Sequence, residues 1–149
     1  MSHVNIDNGG RPGDEEGEYK KLLEEIARTG DCPFCEENLP KYHTKPILKV
    51  GNHWIVTTNR KGYENSKYHF LFILRAHKID SKDLSPEEKI ELFEHIAWLD
   101  EEYEIPGGSL LMRCGDTALT GATVTHLHAH YVIADFDNPD RKPIMARIG

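Results

Sequence analysis

The sequence predicts an α+β fold: a mostly antiparallel sheet with one main helix packed on a face and a second helix near the N-terminus. Two observations carry that class. Short runs rich in β-branched and aromatic residues recur between positions 46 and 148, and one strongly capped helical stretch after Asp83 interrupts them. The chain has 149 residues, 38% hydrophobic and 29% charged, which suits one globular domain and leaves too little chain for a second.

Residues 1–13, rich in glycine, asparagine and aspartate, read as a disordered leader, and residues 14–149 as a single domain. Between Asp14 and Thr29, Tyr19, Leu22, Leu23 and Ile26 recur at spacings of three and four, one face of an amphipathic helix that Gly30 ends. After Cys32 to Cys35 the period changes. Strands are expected at 46–50, 53–58, 69–74, 109–114 and 125–133, with a last one at 144–148. Gly51-Asn52 between the first two reads as the two-residue turn of an antiparallel hairpin. The interrupting helix opens on Ser85-Pro86-Glu87-Glu88, an N-cap, a proline at the first helical position and a glutamate placed to close a capping box. Leu92, Ile96, Leu99 and Tyr103 give it one apolar stripe, and Pro106-Gly107-Gly108 stops it.

The net charge of −7 argues against a broad nucleic-acid-binding surface, but it is unevenly spread. Residues 80–104 hold ten acids and two bases, whereas residues 32–79 hold three acids and eight bases. That basic stretch, which includes Arg60, Lys61 and Arg75, suits either a solvated face or a small anionic ligand such as a nucleotide. No apolar run reaches the roughly 20 residues that cross a bilayer, and the polar start lacks the apolar core of a signal peptide. The expectation is a soluble, cytoplasmic protein with neither a membrane nor a nucleic-acid partner.

Chemistry concentrates in Thr125-His126-Leu127-His128-Ala129-His130-Tyr131-Val132-Ile133. On a strand, side chains alternate, so His126, His128 and His130 share a face at steps of about 6.6 Å, while Leu127, Ala129 and Tyr131 pack beneath. Three imidazoles on one face have two chemical uses. They bind a metal together, as in a hydrolytic zinc site, or they divide the labour, one attacking phosphorus while its neighbours hold its tautomer and the phosphate oxygens. Cys32-Pro33-Phe34-Cys35 has metal-ligand spacing; a redox pair competes, but here a helix precedes the motif and Glu36-Glu37-Asn38-Leu39-Pro40 follows it. Cys114, within an apolar strand, reads as a small buried side chain.

Together these motifs resemble the histidine triad superfamily of nucleotide hydrolases and transferases. Gly121-Ala122-Thr123-Val124 leads into His126-Leu127-His128-Ala129-His130, and His69-Phe70-Leu71-Phe72-Ile73-Leu74-Arg75-Ala76-His77 is followed by Asp83-Leu84-Ser85-Pro86-Glu87-Glu88. The resemblance covers about residues 28–149 and extends to the related galactose-1-phosphate uridylyltransferases and dinucleoside polyphosphate phosphorylases. It implies a histidine-triad-like α+β fold and a homodimer. His128 would be the nucleophile, His130 a phosphate contact and His69 a member of the same cluster. Thr123, where the family usually has serine, would donate to the leaving group or a phosphate oxygen, and backbone N–H groups from Gly121 to Thr123 would stabilise the equatorial oxygens. Asn59 falls at the family's ribose-binding aspartate, and Arg113 suits either a bound phosphate or a structural turn around Gly115-Asp116. In the zinc-containing branches the metal ligands correspond to Cys32, Cys35, His77 and His126, four protein ligands that make a closed, structural zinc site.

The activity so implied is a nucleotide hydrolase that forms a covalent nucleotidyl-histidine on a nucleoside polyphosphate, dinucleoside polyphosphate or nucleoside phosphoramidate. His130, where transferase relatives often carry glutamine, tilts the reading toward hydrolysis. A nucleotidyltransferase or phosphorylase with phosphate or a sugar phosphate as acceptor, and a nucleotide-binding regulatory protein with little turnover, are the alternatives. Ala122 in place of a common glutamine, and Met112-Arg113-Cys114-Gly115-Asp116 without asparagine, depart from the purine-nucleoside branch. His3, His43, His53 and His95 receive no role.

Overall fold

Short runs rich in β-branched and aromatic residues build five strands, and in the computed structural model, which describes residues 2–9 and 17–149, they form one antiparallel sheet. Strand β1 is Lys49–Val50, β2 Trp54–Thr58, β3 Ser66–Leu74, β4 Ser109–Met112 and β5 His128–Ala134, in the order β1-β2-β3-β5-β4. Cross-strand partners sort the sheet into two faces. Trp54, Val56, Phe70, Phe72, Leu74, Ala129, Tyr131 and Ile133 share one, and helix α3 (Pro86–Glu102) covers it with Leu92 and Leu99. Each such aliphatic or aromatic side chain contributes about 1.5–3 kcal/mol on full burial. Ile55, Leu71, Ile73, His128 and His130 lie on the other face, where Leu39 and Phe34 pack.

Helix α3 begins as its sequence dictates. Ser85 Oγ accepts from the Glu88 N–H at 3.1 Å and Glu88 Oε1 accepts from the Ser85 N–H at 2.7 Å, closing the capping box. Lys78 pairs with the buried Glu88 carboxylate at 2.5 Å, and Trp54 Nε1 donates to the Glu88 carbonyl at 2.7 Å.

The hairpin turn lies one residue beyond the expected Gly51-Asn52. Val50 pairs with Ile55 and the Gly51 N–H donates to the Trp54 carbonyl, so Asn52 and His53 are the turn residues. Helix α3 explains the glycine: a Cβ at position 51 would meet His95 Nε2 at 2.5 Å and Glu91 Oε2 at 2.7 Å. Gly51 is there for close approach.

Helix α1 (Glu18–Thr29) ends at Gly30, whose left-handed φ of 75° returns its N–H to the Ile26 carbonyl. Leu23 and Ile26 meet Val4 and Val124 in a second apolar cluster. Residues 2–9, which fall within the expected leader, pair with the body of the fold. Val4 bridges Val124, the Asn5 N–H donates to the Thr123 carbonyl, and Ile6–Gly9 forms a 3-10 turn. Polar composition hid this pairing because its partner is distant in sequence. Residues 10–13, and the expected helix start at 14–16, lie outside the described residues.

Strand β5 starts at His128, later than expected, because the Thr125 and Leu127 N–H groups donate to the His3 and Lys78 carbonyls. No strand forms at 144–148, where residues 141–149 follow an irregular path, and Cys114 is half-buried beside the main core. The one-turn helices α2 (Leu39–Tyr42) and α4 (Thr117–Thr120) had no periodic signal to read.

Candidate active site and metal centre

Strand β5 delivers two of the three triad histidines, and the segment before it delivers the third. His128 sits opposite Ile73 and His130 opposite Leu71, so both rings stand on the face away from α3. His126 precedes the ladder and is fully buried. The expected row of three on one strand thus divides into a pair and an anchor.

Hydrogen bonds set the tautomers. His128 Nδ1 lies 2.8 Å from the His126 carbonyl oxygen. A carbonyl only accepts, so Nδ1 carries the proton and Nε2 keeps its lone pair. Burial pushes the His128 pKa down to about 4 against the opposing pull of that bond, and the ring is neutral at pH 7. His126 Nε2 donates to the Leu74 carbonyl at 2.5 Å, which turns its Nδ1 lone pair toward Cys32, Cys35 and His77. His69 Nδ1 accepts from the Tyr63 N–H at 3.2 Å, and His69 Nε2 donates to His130 Nδ1 at 2.8 Å. The other ring nitrogen of His130, Nε2, faces an Arg113 guanidinium nitrogen at 3.5 Å.

His128 and His130 open into a cavity of about 220 Å³. Asn59, Arg113, Gly121 and Thr123 stand on its walls, so all four residues expected at a nucleotide are brought together there. His69 reaches the site through His130. Asn59 Nδ2 donates to the Lys61 carbonyl at 2.8 Å, which holds its amide in place. Arg113 Nε and Nη2 donate to the Arg147 carbonyl at 3.1 and 2.6 Å, tying the guanidinium to the C-terminal stretch. Gly121 takes φ 78° to end α4; its N–H bonds Thr117 and the Ala122 N–H bonds Thr120 Oγ1. These two N–H groups are engaged within the turn.

The walls also include Asn8, Tyr19, Phe34, Tyr63 and Met145, which sequence reasoning missed. Tyr19 was absorbed into an apolar helix stripe, while Phe34 lay in plain sight between the two cysteines. Tyr63 and Met145 have no local signal.

A second cluster adjoins the cavity. Donor atoms of Cys32, Cys35, His77 and His126 all lie within 4.8 Å of one another. Cys32 Sγ is 3.4 Å from His126 Nδ1, Cys35 Sγ is 3.3 Å from His77 Nδ1, and the two Nδ1 atoms are 3.1 Å apart. Donors on a tetrahedral zinc at ordinary bond lengths are about 3.3–3.8 Å apart. Two thiols and two imidazole nitrogens at these separations fit a four-ligand zinc site. Burial, reinforced by neighbouring Cys32, pushes the Cys35 thiol up to about 12. The triad histidines do not converge on one metal, since their rings bond the Leu74 carbonyl, the His126 carbonyl and His69 respectively.

No family model and no curated protein matches the sequence. Solved structures do match. A HIT family hydrolase from Clostridium thermocellum superposes with a TM-score of 0.54 at 24% identity, over 74% of this chain and 96% of that one. A zinc-bound histidine triad family protein from Mycobacterium smegmatis gives 0.53 at 21% identity, over 76% of this chain and 84% of that one. The diadenosine triphosphate hydrolase of Plasmodium falciparum gives 0.50 at 21% identity, over 62% and 63%. By topology and by these superpositions, the chain has the fold of the histidine triad proteins.

Proposed function

We propose that the protein is a nucleotide hydrolase that forms a covalent nucleotidyl-histidine on His128. One observation carries this reading: the 2.8 Å bond from His128 Nδ1 to the His126 carbonyl leaves an unprotonated Nε2 on a ring that opens into the cavity. Nε2 attacks the α-phosphorus of a nucleoside polyphosphate, dinucleoside polyphosphate or nucleoside phosphoramidate. The N–P bond forms as the bond to the leaving group breaks, and the leaving group departs with the electron pair. The His126 carbonyl stabilises the positive charge that the ring gains. His130 Nε2–H and the Arg113 guanidinium, 3.5 Å apart, donate to the non-bridging oxygens. Thr123 serves the leaving group and Asn59 the ribose. Water then attacks phosphorus, the N–P bond breaks, and nucleoside monophosphate is released. The fold shared with a diadenosine triphosphate hydrolase supports this class of substrate.

Cys32, Cys35, His77 and His126 hold a structural zinc in the same reading, supported by their donor separations and by the zinc-bound neighbour of the same fold. When bound, the ion supplies an anchor with no open position for substrate. The chain's own part is to fix His126, whose carbonyl sets the tautomer of His128. The ligand is a nucleotide rather than nucleic acid or a membrane, and the working form is a cytoplasmic homodimer. No helix among the described residues is long and apolar enough to cross a membrane.

The test is acid-quench trapping with α-labelled nucleotide conjugates, with product identification by mass in the presence and absence of phosphate. Wild-type protein becomes labelled through an acid-labile bond and releases nucleoside monophosphate. His128→Ala takes no label, and turnover falls ~10³-fold or more. Equal activity in His128→Ala would remove the nucleophile, nucleoside diphosphate formed with phosphate would make the protein a phosphorylase, and binding without label would leave a regulatory protein.

A further inference from the structure

Thr123 is held from three sides. The Asn5 N–H donates to its carbonyl at 2.8 Å. Asn8 Nδ2 donates to the preceding carbonyl, that of Ala122, at 2.7 Å, and to the Thr117 carbonyl at 2.9 Å. Tyr19, from α1, brings its hydroxyl to 2.6 Å from Thr123 Oγ1. Both side chains stand on the wall of the cavity into which His128 opens.

The direction of the hydroxyl pair decides what Thr123 can do. A hydroxyl donates once and accepts twice. Either hydroxyl can donate across this contact; a phenol is the stronger donor and an alkyl hydroxyl the stronger acceptor, which favours the direction in which Thr123 keeps its own proton. Among the described residues this is the one hydrogen bond of the Thr123 hydroxyl, and in that direction its proton is available to whatever fills the cavity.

Resting on the reaction proposed above, we infer that Tyr19 is a positioning residue that fixes the Thr123 hydroxyl as donor to the departing atom of the leaving group. As the bond to phosphorus breaks, that atom gains the electron pair and draws the Thr123 proton. Thr123 recovers a proton from Tyr19, and Tyr19 recovers one from the water that later hydrolyses the intermediate. The contribution grows with the proton affinity of the departing atom. It is large for the nitrogen of an alkyl amine or the oxygen of an alkyl alcohol, and small for pyrophosphate or a nitrophenol. The device suits the protein to conjugates whose leaving groups are basic.

The experiment compares wild type, Tyr19→Phe, Thr123→Val, Thr123→Ser and the Tyr19→Phe/Thr123→Val double variant. The substrates are nucleoside monophosphate conjugates of pyrophosphate, nitrophenol, alkyl alcohol and alkyl amine. Tyr19→Phe is expected to lower kcat for the amine by about 10–100-fold, with KM unchanged, and to leave the nitrophenol rate within about 2-fold. Thr123→Val behaves the same, the double variant is no worse than either, and Thr123→Ser retains the wild-type profile. A loss uniform across leaving groups, or none, overturns the inference, as does additivity in the double variant. Should Tyr19→Phe fail to fold, Tyr19→Leu, which keeps apolar bulk on α1 without the hydroxyl, is read by the same profile. Wild type that takes no label from any conjugate sinks the proposed reaction and this inference with it. Labelled wild type with a flat Tyr19→Phe profile sinks this inference alone.

Discussion

Glu91 joins α3 to the β1–β2 turn, accepting from the N–H groups of Asn52, His53 and Trp54 at 2.9, 2.8 and 2.7 Å. Burial alone would raise its carboxyl, but those three bonds and neighbouring His95 outweigh it and hold the group below the usual range. At Glu88 burial is likewise outweighed, here by Lys78 and Ser85. A carboxylate with a lowered folded pKa contributes fully above its unfolded value and loses that contribution as pH falls through the folded one. Buried His95 acts in the same direction by another route. Its pKa is lowered chiefly by burial, so the unfolded chain takes the proton first and stability drops as pH falls below about 6.5. Urea midpoints should therefore decline from pH 7 downward, most steeply below about pH 5. Glu91→Gln should cost about 2–4 kcal/mol at neutral pH and flatten the acid limb; a variant that keeps the wild-type acid slope would acquit Glu91.

Among the elements, those held by local bonds were legible and those held by distant ones were not. The α3 capping box, built within four residues, and the aromatic and aliphatic run His69-Phe70-Leu71-Phe72 on β3 could be read directly. The hairpin slipped by one residue because the demand for Gly51 comes from His95 and Glu91 on α3. Within the site, the Cys32, Cys35, His77 and His126 cluster, Thr123 and Asn59 were legible as motif positions. Tyr19 was not, because an aromatic at helical spacing reads first as core. The segment at 2–9 was least visible, since its hydrogen bonds run to residues 117–125. Asn8 carries much of that joint. Asn8→Ala strips the Thr117 and Ala122 carbonyls of one donor each, and should cost about 1–3 kcal/mol. It should also raise KM by loosening the loop that holds Thr123. Thermal melts and steady-state kinetics check both, and a variant matching wild type in each would show that the segment merely rests on the loop.

At the scale of the whole molecule, the metal cluster is where distant parts of the chain meet. Cys32 and Cys35 follow α1, His77 follows β3 and His126 precedes β5, so an ion bound there would link the N-terminal helix region, the central strand and the strand that carries His128 and His130. Ligands that are scattered in the unfolded chain make metal affinity part of the folding free energy. Zinc at about 1,000 times its dissociation constant adds about 4 kcal/mol, or roughly 10 °C in Tm for a domain of this size. Purified protein should carry one zinc per chain with thiolate in its coordination shell, and a chelator should lower Tm by that order. Cys32→Ser and His77→Ala should lose the metal, while His130→Ala, whose ring belongs to the cavity, should keep it. Zinc lost from His130→Ala but retained by Cys32→Ser would move the ion onto the triad. The closed anchor would then become a catalytic centre, and the assignment of His128 as nucleophile would fall with it.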